Sequence, residues 1–352
     1  MKNGVWLWVA GILTVASGCL VNQQKPLSPE EVARLRQYQV SAAEAGLTIT
    51  KRQGSTMVRW REMVRPEHPV TVPMVKRDAT SHQPMIQARL NGGRTLSLVV
   101  DTGAPVNLLE AGTAMQNHVQ TVDADSLQHA FQGLAGTEQT WFGMIRQMTI
   151  GSELALRNVL TAIRGARFER RVGGWLLMER WNSDALGMST LNQFAYIRLD
   201  YPAGTVTFSH RDYFTPPDEA VAQAPLIWTN AQLRVPLRLN GKSVEALVDT
   251  GNDATLMIAS NMLESLGWAD LAAKGRREVY VGLGGEHVLR RFLIPEMEFG
   301  GKIFKKIHAV GGPEEFGVVI GSGFFHRYCL TLDLRRRQMW LETSKSVRAK
   351  ST

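Results

Sequence analysis

The chain has only two cysteines in 352 residues, Cys19 and Cys329, so no disulfide framework can hold it together and its fold must rest on a buried core. It also lacks a long hydrophobic run: the apolar stretch from Val5 to Val15 falls short of the roughly 20 residues that a bilayer-spanning helix needs. None of its eight histidines stands in a metal pattern such as His-Glu-x-x-His, and no Gly-Lys-Ser/Thr loop or dinucleotide fingerprint follows a strand-like segment. Neither a metal nor any other cofactor is therefore expected. The net charge of +8 is scattered or bunched in short runs such as Arg335-Arg336-Arg337, with no nucleic-acid motif around them. Nucleic acid is not an expected partner; anionic lipid head groups fit the charge better.

What is present suffices for a sizeable core, because 44% of residues are apolar and only 20% are charged, and the length suits two lobes. The first residues separate from the rest: Lys2, the apolar stretch, then Ala16-Ser17-Gly18-Cys19, small residues where a signal peptidase would cut. This resembles a bacterial lipoprotein signal ending in a lipobox. The resemblance implies that residues 1–18 are removed, that Cys19 is acylated, and that the protein sits on the periplasmic face of a membrane, held by two or more acyl chains. Leu20 follows Cys19, where an aspartate would retain a lipoprotein at the inner membrane of enteric-like bacteria, so the outer membrane is the expected address. Ser28-Pro29-Glu30-Glu31 then opens a polar helix expected to run toward Ala45, with serine as N-cap and glutamates at the positive helix end.

The most informative feature is a tripeptide that occurs twice, Asp101-Thr102-Gly103 and Asp249-Thr250-Gly251, each directly after a strand-like apolar run. Four landmarks recur in one order around these copies. Arg89-Leu90-Asn91-Gly92 matches Arg238-Leu239-Asn240-Gly241, a hairpin turn whose Asn-Gly supplies positive φ. The Asp-Thr-Gly triplets follow. Next come Gly133-Leu134-Ala135-Gly136 and Gly282-Leu283-Gly284-Gly285, glycine clusters expected at the tips of two mobile hairpins. Last are Ala185-Leu186-Gly187 and Val319-Ile320-Gly321, backed by Asp200 and Asp333.

With these motifs the chain resembles the pepsin-like and retropepsin-like aspartic proteases, in which each lobe or subunit supplies one Asp-Thr/Ser-Gly loop and a later hydrophobic-hydrophobic-glycine motif. The likeness spans roughly residues 75 to 343. It implies a mainly β, bilobal acid-protease fold: two retropepsin-like β-barrel lobes about a pseudo-twofold axis, with a short N-terminal helix. The expected organisation is a signal peptide over 1–18, a spacer with its helix over 19–67, lobe one over 68–215, a linker over 216–231 and lobe two over 232–345. By resemblance, Thr102 and Thr250 hold the two loops together with Gly103 and Gly251, the glycine hairpins close on substrate, and one chain suffices for one active site.

The chemical argument stands apart from the family. Peptide hydrolysis needs a base to activate water and an acid to protonate the carbonyl oxygen and then the leaving amine. Two neighbouring carboxylates cannot both ionise freely, so Asp101 and Asp249 would share one proton and serve as both, the established behaviour of aspartic-protease pairs. The expected activity is that of a membrane-anchored aspartic endopeptidase carrying out limited processing of an extended protein or peptide segment. The alternative is a catalytically silent peptide-binding or scaffold lipoprotein that uses the same cleft. Phe131, Trp141 and Tyr280 flank the hairpins and read as core more readily than as subsites. Asn252 and Asp253 follow the second triplet where the family has small residues, and are expected to shift the pH range of the pair. Lobe one also carries a longer stretch before Ala185, with Arg164, Arg167, Arg170, Arg171, Trp175 and Trp181. It is expected either to bind an acidic segment of substrate or a partner protein, or to form a solvated surface loop.

Overall fold

A computed structural model describes residues 20–52, 55–122, 129–133, 136–172, 176–181, 183–217, 220–229, 232–282 and 285–343. The chain is mainly β and bilobal, as expected. Each lobe is built on the same local plan. A hairpin pairs Met85–Leu90 with Thr95–Val100 in lobe one and Gln232–Leu239 with Lys242–Asp249 in lobe two. Both turns are Asn-Gly with positive φ at both residues, 50° and 75° for Asn91 and Gly92, 48° and 76° for Asn240 and Gly241, the geometry that matches strand twist. The side-chain amide of Asn91 donates to Asn117 O at 2.9 Å, and that of Asn240 donates to Leu266 O at 2.8 Å, so the repeat extends to the turn's anchors.

The aspartate strand of each lobe also pairs in parallel with the later hydrophobic-glycine motif. Val99 and Val100 lie against Ala185 and Leu186, while Val248 and Asp249 lie against Ile320 and Gly321. Strands covered on both sides read as unbroken apolar runs. Val99, Val100, Ala246, Leu247 and Val248 are accordingly all buried. A third short strand, Asn107–Leu109 or Leu256–Ala259, pairs antiparallel with the motif strand and parallel with the long strand Leu154–Arg164 or Lys302–Gly312.

A six-stranded antiparallel sheet joins the lobes beneath these plans, in the order Ala222–Pro225, Gln338–Glu342, Cys329–Asp333, Tyr196–Asp200, Thr205–Ser209 and Val70–Pro73. Its central pair crosses the lobe boundary, with Tyr196 opposite Asp333 and Asp200 opposite Cys329. Tyr196–Asp200 and Gln338–Glu342 alternate in burial while Cys329–Asp333 is buried throughout, and Ile197, Leu199, Leu330, Leu332, Met339 and Leu341 belong to the common core.

The N-terminal helix spans Pro29–Arg36 and starts in a capping box: Ser28 Oγ accepts the Glu31 N–H at 3.2 Å, and Glu31 Oε2 accepts the Ser28 N–H at 2.8 Å. It stops well before Ala45. Gln39–Val40 leaves it to pair in parallel with Gln120–Val122, and a second Ser41/Glu44 box shapes a separate turn. The segment read above as a spacer thus adds strands to lobe one: Leu20–Pro26 pairs with Ala166–Val172, and Met63–Arg65 pairs with Leu154–Arg164.

The basic stretch of lobe one forms the hairpin Ala166–Val172 and Leu176–Trp181, with Trp175 outside the described residues. Two of its arginines serve the fold, which departs from both readings given above, a binding stretch and a solvated loop. Arg164 is 2% exposed and held by Glu138 at 2.6 Å and Glu110 at 2.8 Å. Arg167 pairs with Glu31 and with Glu169. Burying Glu138 inside a strand demands such a cation, because an unpaired charge there costs several kcal/mol. Among the described residues no helix is long and apolar enough to cross a membrane.

Candidate functional site

The two triplets meet at the lobe boundary. Thr102 Oγ1 donates to Val248 O at 2.6 Å and accepts the Thr250 N–H at 3.1 Å; Thr250 Oγ1 donates to Val100 O at 2.5 Å and accepts the Thr102 N–H at 3.1 Å. Both threonines are at most 1% exposed. These four bonds satisfy every polar atom the two hydroxyls present and lock each aspartate loop to the opposite strand.

The glycines explain themselves by the same reciprocity. A Cβ on Gly103 would lie 2.4 Å from Asp249 Cγ, and one on Gly251 would lie 2.4 Å from Asp101 Cγ. Each carboxylate therefore rests against the glycine of the other lobe, where any side chain would push it away. Gly187 and Gly321 give similar room one layer behind. A Cβ would meet Val106 O at 2.4 Å at the first and Ala254 O at 2.3 Å at the second.

Asp101 Oδ1 accepts the N–H groups of Gly103 at 2.8 Å and Ala104 at 3.1 Å. Burial pushes the Asp101 carboxyl above the ordinary carboxylate range against these donors, and burial together with the Asp101 charge pushes Asp249 well above it. The two titrate as one pair, and the arrangement favours one bound proton over a broad range of pH. Both residues keep partial exposure, so the carboxylates remain reachable.

Neighbours of the pair include residues that the sequence pattern did not single out. The segment 78–83 of lobe one crosses to lobe two: Asp253 Oδ1 accepts the His82 N–H at 2.7 Å, Asp253 Oδ2 accepts from Ser81 Oγ at 3.1 Å, and Gln83 Nε2 donates to Gly251 O. His82 stacks on His326 with ring centroids 4.1 Å apart. Asp253 thus works as an interlobe tie. Asn252 uses its side chain locally, Oδ1 accepting the Ala254 N–H at 2.9 Å, and its backbone N–H helps hold Asp249 anionic. Asn107, 1% exposed, anchors the lobe-one motif by donating to Leu160 O at 2.7 Å and accepting the Gly187 N–H at 2.8 Å. In lobe two Ser322 does this from the other side, its N–H and Oγ each donating to Asn252 O at 2.8 Å.

Both glycine clusters sit on hairpins. Gly133 pairs with Gly136 as the last rung of His129–Gly133 and Gly136–Ile150, and Gly282 pairs with Gly285 as the last rung of Arg276–Gly282 and Gly285–Phe299. The tip residues Leu134, Ala135, Leu283 and Gly284 lie outside the described residues, as does Cys19. Trp141 and Tyr280 pack against core clusters, while the Phe131 side chain is not described.

No curated protein matches the sequence. Among solved structures, the crystal structure of Basic 7S globulin from soybean is similar at 12% identity, covering 79% of this chain and 96% of that one with a TM-score of 0.48. An aspartyl protease family model matches the chain over residues 86–167 and 235–324, so each matched stretch contains one of the two Asp-Thr-Gly loops.

Proposed function

We propose that this chain is an aspartic endopeptidase, anchored through acylated Cys19 on the periplasmic side of a bacterial membrane, the outer membrane by the residue after the lipobox. The observation that carries the catalytic reading is the reciprocal packing of Asp101 and Asp249, each carboxylate seated against the glycine of the opposite triplet and neither able to ionise without raising the cost for the other. The matching family model supports the same chemistry.

In this reading a substrate peptide lies extended across the cleft beneath the two glycine hairpins, held by main-chain hydrogen bonds. The ionised member of the pair takes a proton from a water molecule, whose oxygen adds to the scissile carbonyl carbon. The protonated member gives its proton to the carbonyl oxygen. Collapse of the tetrahedral intermediate breaks the C–N bond as the amine takes a proton from the pair and a hydroxyl of the intermediate gives its proton back to it, so the new carboxyl group and the amine leave and the pair again holds one proton. The threonine lock positions these groups and takes no proton. Limited processing follows from the tether, which confines the enzyme to substrates close to one membrane.

The test is digestion of a mixed-peptide library across acidic to neutral pH by the parent chain and by Asp101→Asn and Asp249→Asn. Cleavage by the parent and none by either variant supports the proposal. Peptide binding without cleavage by the parent at any pH would replace it with a binding module that uses the same cleft.

A further inference from the structure

Lobe one seats its Asp-Thr-Gly loop from behind by a route that lobe two does not use. Leu186 O accepts the Asp101 N–H at 3.0 Å, and the Met188 N–H donates to Ala104 O at 2.8 Å, so Gly187 sits between two grips on the loop. The Gly187 N–H itself donates to the Asn107 side chain, Oδ1, at 2.8 Å. In lobe two the matching glycine, Gly321, donates instead to a backbone carbonyl, Thr255 O, at 3.3 Å. Thr255 stands six residues after Asp249, as Asn107 stands six after Asp101, so the repeats part at this position. Lobe two closes on backbone; lobe one depends on a side chain and on whatever holds that side chain.

Asn107 Nδ2 donates to Leu160 O at 2.7 Å and to Thr190 Oγ1 at 2.8 Å, and Thr190 Oγ1 donates onward to Glu62 Oε2 at 3.2 Å. Asn107 and Thr190 are buried, so water does not replace these bonds. Glu62 comes from the N-terminal segment, which lobe one holds on either side of it. Val64 pairs with Leu156 and is buried in the main core, while Trp60 packs on the cluster of Val106, Leu160 and Ala162 beside the loop. The Glu62 side chain is half-buried with Oε1 shut off from solvent, and this desolvation pushes its carboxyl up to about 8. At neutral pH and below it is an uncharged hydrogen-bond partner that needs no counter-ion. We propose that Glu62 is a positioning residue for Asp101, acting through Thr190, Asn107 and Gly187. The inference rests on the reading of this chain as an aspartic endopeptidase. Without the Glu62 oxygen the Thr190 hydroxyl has no fixed acceptor, the Asn107 amide rests on a mobile partner, and both grips beside Gly187 loosen together. Asp249 is spared, because Thr255 and Ser322 seat its loop from within lobe two.

The experiment compares the full chain with Glu62→Ala, Glu62→Gln, Thr190→Val and the Glu62→Ala/Thr190→Val double variant, by kcat and KM on a cleaved peptide and by hydrogen exchange over residues 101–104 and 249–252. Alanine at 62 should lower kcat by about tenfold or more with KM little changed, since a shift near 1 Å in a reacting group costs about 100-fold. Glutamine keeps an uncharged acceptor oxygen and should restore kcat to within about threefold of the parent. Valine at 190 keeps side-chain shape and breaks the same link, so it should match alanine at 62, and the double variant should fall no further. Exchange should quicken over 101–104 and stay unchanged over 249–252. A kcat for Glu62→Ala or Thr190→Val equal to that of the parent, losses that multiply in the double variant, or a glutamine variant as impaired as the alanine one would overturn the proposal. If Glu62→Ala does not fold, Thr190→Val and Glu62→Gln carry the comparison. If the parent cleaves no peptide, the endopeptidase reading fails by itself, and exchange decides the positioning role: faster over 101–104 in Glu62→Ala or Thr190→Val upholds it, and equal exchange overturns it.

Discussion

Replacing Thr102 with valine removes one hydroxyl while keeping side-chain shape, and the cost follows from the bonds that hydroxyl makes. Two groups lose their partner, the Thr250 N–H and the Val248 carbonyl, in a place where neither threonine is more than 1% exposed and water cannot take over. A buried polar group left unsatisfied costs about 1–3 kcal/mol, so Thr102→Val should destabilise the fold by about 2–6 kcal/mol. That is a large share of the roughly 5–15 kcal/mol by which a domain is stable. Because both lost bonds cross between lobes, the change also loosens the spacing of Asp101 and Asp249, and a displacement near 1 Å costs about 100-fold in rate. The assay is the urea midpoint together with kcat/KM on a cleaved peptide, beside Thr102→Ser, which keeps the hydroxyl and loses about 1 kcal/mol with its methyl group. If the valine variant unfolds within about 1 kcal/mol of the serine variant, the threonine lock does not hold the lobes as argued.

Three further outcomes are expected. Gly103→Ala places a methyl 2.4 Å from Asp249 Cγ and should cut kcat/KM by about 100-fold or more, whereas Gly112→Ala, with nothing within 4 Å, should leave it unchanged; equal kinetics in the two would contradict the packing. Glu62 is half-buried beside Thr190 with its Oε1 shut off from solvent, and this desolvation pushes its carboxyl up to about 8, so the native state holds a proton that the unfolded chain releases. Its contribution is intact below about 4.5 and lost as pH rises through about 8; Glu62→Gln should therefore gain on the parent by up to about 5 kcal/mol across that window, and a pH-independent difference in urea midpoint would refute the assignment. Arg164→Ala leaves Glu138 buried without its cation and should cost about 3–5 kcal/mol, more than Arg167→Ala at its 29% exposed site, as read by thermal unfolding of both variants.

What the sequence made legible was local. Asn91-Gly92 and Asn240-Gly241 declare their turns because few other residue pairs accept positive φ twice in succession, and the aspartate strands declare themselves by burial on both faces. Asp-Thr-Gly stood out because it recurs, although the reason for its glycine, the carboxylate of the other lobe, lies 146 residues away in the chain for Gly103 and 150 for Gly251. The neighbours of the pair were hidden for the same reason. Gln83 reaches Gly251 across 168 residues and His82 reaches Asp253 across 171, and no periodicity encodes such contacts. Arg164 and Arg167 looked like free charge because their partners, Glu138, Glu110 and Glu31, sit on other elements. The helix from Pro29 was predicted too long, since the pairing of Gln39–Val40 with Gln120–Val122 outweighed a polar stretch with good helix formers.

The central claim is that Asp101 and Asp249 act as one site, and a double-mutant cycle on kcat/KM tests it most directly. Groups that work as a unit are strongly non-additive. Asp101→Asn, Asp249→Asn and the double variant should all fall to the same floor, about 10,000-fold or more below the parent. Retention of activity within about tenfold of the parent in either single variant, or losses that multiply in the double, would contradict a shared dyad.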